Sequence, residues 1–166
     1  NIFLSFFDKE KNNWIFSSKI IKSNNTQLLS AILRSFADAD GTVTCTVKNN
    51  CHFSRRIAIY NKTKILLQQL QNILKKFNIN CSIKIDRTAR QDFIKGQLVN
   101  FPTTYSLRIT NYKNLKIFKD KIGFKIKRKS NKLEDIIKSY KHIGREYQTE
   151  DYYKVLSLYK KFNNCR

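Results

Sequence analysis

The sequence predicts an α+β fold, an antiparallel four-stranded sheet with helices on one face and a polar, basic second face. Three observations lead there. A helix-strand-strand order occurs twice in succession and is followed by further helices. The strand segments alternate apolar and polar residues, the period of a half-buried strand. Their polar sides carry mostly Thr, Ser, Lys and Arg rather than acids. Helices segregated to one face of an antiparallel sheet are a stable two-layer arrangement.

Residues 1–24 read as an N-terminal arm, residues 25–143 as the domain, and residues 144–166 as a C-terminal helix. In the arm, Phe3, Phe7, Trp14, Ile15 and Phe16 want burial, and Asn12-Asn13 marks a turn. The first helix spans about 26–39, with Asn25 or Thr26 as its cap. Leu28, Leu29, Ile32, Leu33 and Phe36 recur at helical spacing. Ala31 and Ser35 are small and four apart, a face that a second helix can approach closely. Gly41 is expected to end this helix at positive φ.

Strands are expected at 42–48 and 52–60. They place Val43, Cys45, Val47, Ile57 and Ile59 inward and Thr42, Thr44, Thr46, Lys48, Ser54, Arg56, Ala58 and Tyr60 outward. A helix over 62–77 buries Leu66, Leu70, Ile73, Leu74 and Phe77. A second strand pair follows, with Cys81, Ile83, Ile85, Tyr105, Leu107 and Ile109 alternating with Ser82, Lys84, Asp86, Ser106, Arg108 and Thr110. A basic loop carrying Arg87, Arg90 and Lys95 joins the two. A helix over 112–122 stops at Gly123, and 124–129 is a basic link. Asn131 and Glu134 resemble a capping box for a helix to about residue 140. Thr149, Glu150 and Asp151 open a last helix.

Charge narrows the function. The 166 residues carry 33 Lys+Arg against 12 Asp+Glu, a net charge of +21. Such a domain repels itself unless a polyanion neutralises it, and nucleic acid is the usual one. Hydrophobic content of 41% and aromatic content of 13% indicate a folded chain rather than a basic tail. Cys45, Cys51, Cys81 and Cys165 match no zinc spacing, and His52 and His142 stand alone, so the cysteines read as reduced, small buried hydrophobes. No apolar run is long enough for a membrane span. The segment 1–7 lacks the basic start of a signal peptide. No Met occurs, and the chain is expected to be a processed or trimmed piece of a longer frame.

The most informative stretch is Leu33-Arg34-Ser35-Phe36-Ala37-Asp38-Ala39-Asp40-Gly41. It resembles the LAGLIDADG motif. Leu33, Asp38, Ala39, Asp40 and Gly41 match it, and it ends a predicted helix and opens a strand. The αββαββα order over about 26–140 resembles the fold of the LAGLIDADG homing endonucleases.

That resemblance implies a metal-dependent DNA endonuclease. Asp40, with Gly41 beside it, would bind a divalent ion, usually Mg²⁺, with Mn²⁺ or Ca²⁺ as substitutes. Phosphodiester hydrolysis gains from a metal that activates water and neutralises the leaving oxygen. By the same match Lys127 would support the water network in the active site, with Lys125 second. Asn61 would contact the attacking water, or alternatively cap the next helix. Asp38 reads as a helix-end or packing residue near the dimer contact. The sheet would lie in the major groove, with Thr42, Thr44, Thr46, Lys48, Asn50, Ser54, Arg56, Ser82, Lys84, Asp86, Arg87, Ser106, Arg108, Lys125 and Lys129 on DNA. Arg and Lys suit guanine, Asn suits adenine and Asp suits cytosine.

A single motif implies a homodimer joined through Ala31, Ile32, Ser35 and Asp38, which Arg34 permits only if it points away. Such a dimer would cut both strands of a partly palindromic site of roughly two duplex turns, leaving short 3′ overhangs. The expected partners are double-stranded DNA and a second copy, with no membrane and no small-molecule substrate. The expected setting is an archaeal cell or an organelle. An RNA maturase, or a DNA-binding protein that has lost cleavage, is the alternative.

Overall fold

A computed structural model describes residues 7–10, 13–48, 52–143, 146–150 and 152–163. The chain opens with a hairpin of β1 (Phe7–Glu10) and β2 (Asn13–Phe16), then a short helix α1 (Ser18–Lys22). The first αββ unit is α2 (Thr26–Asp40), β3 (Gly41–Lys48) and β4 (His52–Asn61). The second is α3 (Lys64–Lys76), β5 (Ser82–Arg87), a hairpin of β6 (Arg90–Ile94) and β7 (Gln97–Phe101), then β8 (Thr104–Ile109). Helices α4 (Tyr112–Lys121) and α5 (Lys127–Lys138) follow, then β9 (Tyr140–Ile143), β10 (Glu146–Glu150) and α6 (Tyr152–Asn163).

The expected α+β fold is what the chain adopts. The main sheet has the antiparallel order β3-β4-β8-β5. Its inward residues Val43, Cys45, Ile57, Ile59, Leu107 and Ile109 are buried under the helices. Helix α2 contributes Leu29, Leu33 and Ala37, and α3 contributes Leu66, Leu67, Leu70, Ile73 and Leu74. Asn25 caps α2 as expected, its Oδ1 accepting from the Leu28 N–H at 3.0 Å. The arm is tied to the domain by Phe16, whose ring meets Phe36 edge-on at 5.4 Å and whose N–H donates to Gln69 Oε1 at 2.8 Å.

Several expectations are corrected. Gly41 leaves α2 at φ −88°, in extended backbone, not at positive φ. Its lack of a side chain matters for space, because a Cβ there would run into the Ala37 carbonyl and lie 2.9 Å from Ala37 Cα. The expected basic loop between β5 and β8 is the hairpin β6–β7. Its turn residues Lys95 and Gly96 have φ of 50° and 79°, the double positive φ of a type I′ turn. Helix α5 begins at Lys127, inside the expected link. Asn131 and Glu134 therefore lie within the helix, where Glu134 pairs with Lys138 at 2.9 Å instead of capping. Ile85, expected inward, is 59% exposed on outer strand β5. The region 144–166 includes strand β10, paired with β9, before its helix.

Candidate functional site at the end of the motif helix

Three residues one turn apart along α2, Ser30, Arg34 and Asp38, hold the α4–α5 connection. Ser30 Oγ donates to the Lys121 carbonyl at 2.8 Å and Arg34 Nε to the Ile122 carbonyl at 2.7 Å. These are carbonyls at the C-terminal end of α4, which lack partners within their own helix. One turn further, the Asp38 carboxylate accepts from the backbone N–H groups of Lys125 at 3.0 Å and Ile126 at 3.2 Å. Arg34 thus points to the end of α4. Asp38 is turned the same way, and its carboxylate is engaged by the chain's own backbone, the helix-end packing role expected of it.

Helix α5 then returns to the motif. Lys129 Nζ donates to the carbonyls of Ala37, at 3.0 Å, and Asp38. Burial pushes the Lys129 pKa down from its ordinary value; Asp38 pulls it back up, Arg128 presses it down, and Asp40 pulls it up. The lysine brought to the motif is Lys129. Lys127 lies exposed at the first residue of α5, and Lys125 is exposed before it. Asp40 is exposed at the last residue of α2, and Gly41 follows directly as the first residue of β3. Asn61 ends β4 at this same end of the sheet, since Gly41 pairs with Ile59. Its Oδ1 accepts from the Thr63 N–H at 2.9 Å, and the N-cap position of α3 belongs to Thr63.

Among the described residues, nothing covers the opposite side of α2. Ala31, Ser35 and Ala39 are exposed, and Leu28, Ile32 and Phe36 are half-buried. These residues, with Phe7 and Asp40, line an open groove of about 380 Å³ with a mostly apolar surface. Ser35 Oγ donates to the Ala31 carbonyl at 2.9 Å, which keeps its polar atom within its own helix.

The outer face of the sheet carries the expected readers unevenly. Thr42, Ser82, Lys84 and Arg87 are exposed; Thr44, Thr46, Ser54, Arg56, Asp86 and Arg108 are half-buried. The register shift between Ile85 and Arg87 sets Arg87 opposite Thr104, as a bulge does. Ser106 is corrected: it is fully buried and unavailable to DNA. Thr44 Oγ1 and Arg56 Nε, on register partners, are buried and make no hydrogen bond among the described residues. Lys48 lies in β3 and Asn50 outside the described residues.

Sequence reasoning missed two basic features. A cleft of about 520 Å³ lies beside β3, where Arg128, Lys129 and Lys132 of α5 and Phe162 of α6 line it with Gly41, Thr44 and Thr46. Arg55, on the core side of β4, is 8% exposed, donates to Ser139 at 3.1 Å and stacks 3.6 Å from the Tyr140 ring centre. Alternation in β4 already placed Arg55 inward with Ile57 and Ile59, which was a legible signal. Cys45 is buried as expected; Cys81 is half-buried, and burial pushes its thiol up to about 11. Cys51 and Cys165 lie outside the described residues.

Among the described residues, no three His, Cys, Asp or Glu converge on a common point. The chain therefore offers the Asp40 carboxylate as a hard oxygen donor rather than a complete cage. Magnesium suits such a donor, because it is commonly held by one or two carboxylates with water and substrate phosphates. Among the described residues, no helix is long and apolar enough to cross a membrane.

Comparison with known proteins agrees with the motif. A family model described as a LAGLIDADG-like domain matches residues 27–123, more than half of the chain. The chain belongs to the LAGLIDADG family. Its relatives include three proteins of Methanocaldococcus jannaschii. A glutamine–fructose-6-phosphate aminotransferase (isomerizing) is 29% identical over 123 residues, which are 74% of this chain and 10% of that protein. The uncharacterized protein MJ0398 is 29% identical over 109 residues, 64% of this chain and 37% of that one. The ATP-dependent DNA helicase Hel308 is 30% identical over 118 residues, 70% of this chain and 9% of that one. The chain thus spans little more than a third of one relative and about a tenth of the other two. Among solved structures, the homing endonuclease I-CvuI in complex with the I-CreI target is similar, with TM-score 0.49 and 14% identity over 70% of this chain and 68% of that one.

Proposed function

We propose that this chain is a site-specific, metal-dependent DNA endonuclease that works as a homodimer. One observation carries the reading: an exposed carboxylate, Asp40, stands where the motif helix runs without a linker into the first strand of a basic sheet. Lys129 reaches the same helix end. Net charge of +21 supports a polyanionic substrate, and Thr, Ser, Lys and Arg on the outer sheet face suit base edges and phosphates. An aminotransferase and a DNA helicase share no chemistry, so what they share with this chain is best read as a module within longer proteins, not either activity.

The face of α2 that no described residue covers supports a second copy as the partner. Small Ala31, Ser35 and Ala39 allow close approach, and Ile32 supplies apolar area. Such an arrangement would bring two Asp40 carboxylates together and complete a donor set that a single chain leaves short. When bound there, Mg²⁺ would activate water and neutralise developing charge on the leaving oxygen. Asp40 holds the site, and Lys129 offers a proton donor or cation at the same place. Asn61 positions water, and Arg128 and Lys132 offer phosphate contacts beside β3. Cleavage of both strands with short 3′ overhangs and a partly palindromic site belong to the same proposal.

The test is an Asp40→Asn chain beside the native one, assayed with Mg²⁺ on duplexes selected for binding. The variant is expected to bind the selected DNA with unchanged salt dependence and to cut neither strand. Cutting by the variant would remove Asp40 from the site. A native chain that binds but never cuts would leave a DNA-binding protein.

A further inference from the structure

The outer face of the sheet holds one arginine already fixed in place. Arg108, on inner strand β8, donates from Nε to Ser106 Oγ at 2.8 Å and from Nη2 to Asp86 Oδ1 at 3.4 Å. Ser106 is fully buried two residues away on the same strand, and Asp86 sits at the bulge of neighbouring β5. Nε and Nη2 are thus engaged, and Nη1 makes no hydrogen bond among the described residues. The Nη1–Nη2 edge of a guanidinium carries two roughly parallel N–H groups, the geometry that matches O6 and N7 of guanine.

The placement of the acid is informative. The whole chain has 12 acids, and a carboxylate facing a duplex repels its phosphates. Asp86 lies between Arg108 and Arg87, whose Nε is 4.0 Å from its other oxygen. Its side chain is only 23% exposed, as is that of Arg108. A carboxylate held in this way orients an arginine more readily than it accepts from a base. Phosphate contacts tolerate a mobile cation, whereas base-edge contacts reward a fork held in one orientation. Arg56, on the other inner strand, has no such brace on its Nε among the described residues.

We propose that Arg108 is a pre-positioned reader of guanine in the DNA site, with Ser106 and Asp86 as its positioning residues. This rests on the reading that the sheet binds DNA. It assigns different work to three residues that alternation alone makes equivalent: one reads, and two hold.

The test selects binding sites from a random-sequence duplex library, using the full chain in an Asp40→Asn background so that no site is cut. The parent is expected to enrich a G·C pair at a fixed position of each half-site. Arg108→Gln should lower that preference by about tenfold to a hundredfold, the usual worth of a bidentate base contact, and leave the other positions unchanged. Ser106→Ala removes a single oxygen and Asp86→Asn keeps the shape; each should weaken the same position by a smaller factor. Thermal melts confirm that each variant folds, and Ser106→Ala reads the same position if Arg108→Gln does not.

A uniform loss of enrichment with Arg108→Gln would make it a phosphate contact and overturn the assignment. A change at some other position with Asp86→Asn would make Asp86 a base reader and overturn its positioning role. A parent chain that enriches no sequence would instead sink the DNA-site reading itself.

Discussion

The two αββ units start from helices that end in opposite ways. Helix α3 ends by ordinary rules. Lys75 and Lys76 occupy its last turn, where cations suit the helix dipole. Asn78 takes φ of 59°, its N–H donates to the Lys75 carbonyl at 2.9 Å, and Ile79 returns a hydrogen bond to Leu74 at 3.1 Å. A short link then leads to β5. Helix α2 breaks those rules. Its last turn holds Asp38 and Asp40 with no basic residue, the wrong sign for a helix C-terminus. No link separates it from β3. The unfavourable acids are offset from outside the helix, by Lys129 on the terminal carbonyls and by two backbone N–H groups on Asp38. The difference separates scaffold from site: one end satisfies itself locally, and the other depends on a helix some 90 residues away in sequence.

Substitutions at the two ends can break that comparison. The largest effect is expected at the α2–β3 junction. Gly41→Ala places a methyl against the Ala37 backbone, and should cost roughly 1–3 kcal/mol, read as a lower urea midpoint at unchanged slope. An unchanged midpoint would mean that the junction yields easily and that Asp40 is not rigidly placed. Next comes Asp38→Ala, which returns the exposed Lys125 and Ile126 N–H groups to water and should cost about 0.5–2 kcal/mol, as loss of a helix cap does. Asp38→Asn, which keeps one acceptor oxygen, should lose less. The smallest effect belongs to α3. Asn78→Gly relieves a positive φ and should change stability by under about 1 kcal/mol, in the stabilising direction. A larger loss there would show that the α3 end is also held by tertiary contacts.

The same contrast explains what the sequence disclosed. The Asn25 cap, the α3 stripe and the alternation of β3 and β4 are local patterns, and each appears where expected, save that Ala58, expected outward, is fully buried. The motif was legible because its residues are contiguous. The hold of Asp38 on residues 125 and 126 was not, because no periodicity links positions that far apart. Lys125, Lys127 and Lys129 look alike in a basic run; only the early start of α5 brings Lys129 round to α2. The β6–β7 hairpin was missed because its turn residue Lys95 takes a positive φ that glycine or asparagine usually signals. The division of work among Ser106, Asp86 and Arg108 depends on a bulge and a buried hydroxyl, neither visible in an alternating string.

That hairpin gives the molecule an interchangeable part. Residues 88 to 103 leave and re-enter the main sheet at nearly the same place, where the Ala89 N–H meets Thr103 Oγ1 at 3.1 Å. None of the core residues lies within it. Phe93, Ile94 and Leu98 at its tip are 72%, 47% and 53% exposed. A segment hung on such a closed neck can change length and chemistry without renegotiating the interior. Natural variation among such proteins can therefore collect there, and a foreign cassette can be grafted there, while the motif helix and the four main strands stay as they are.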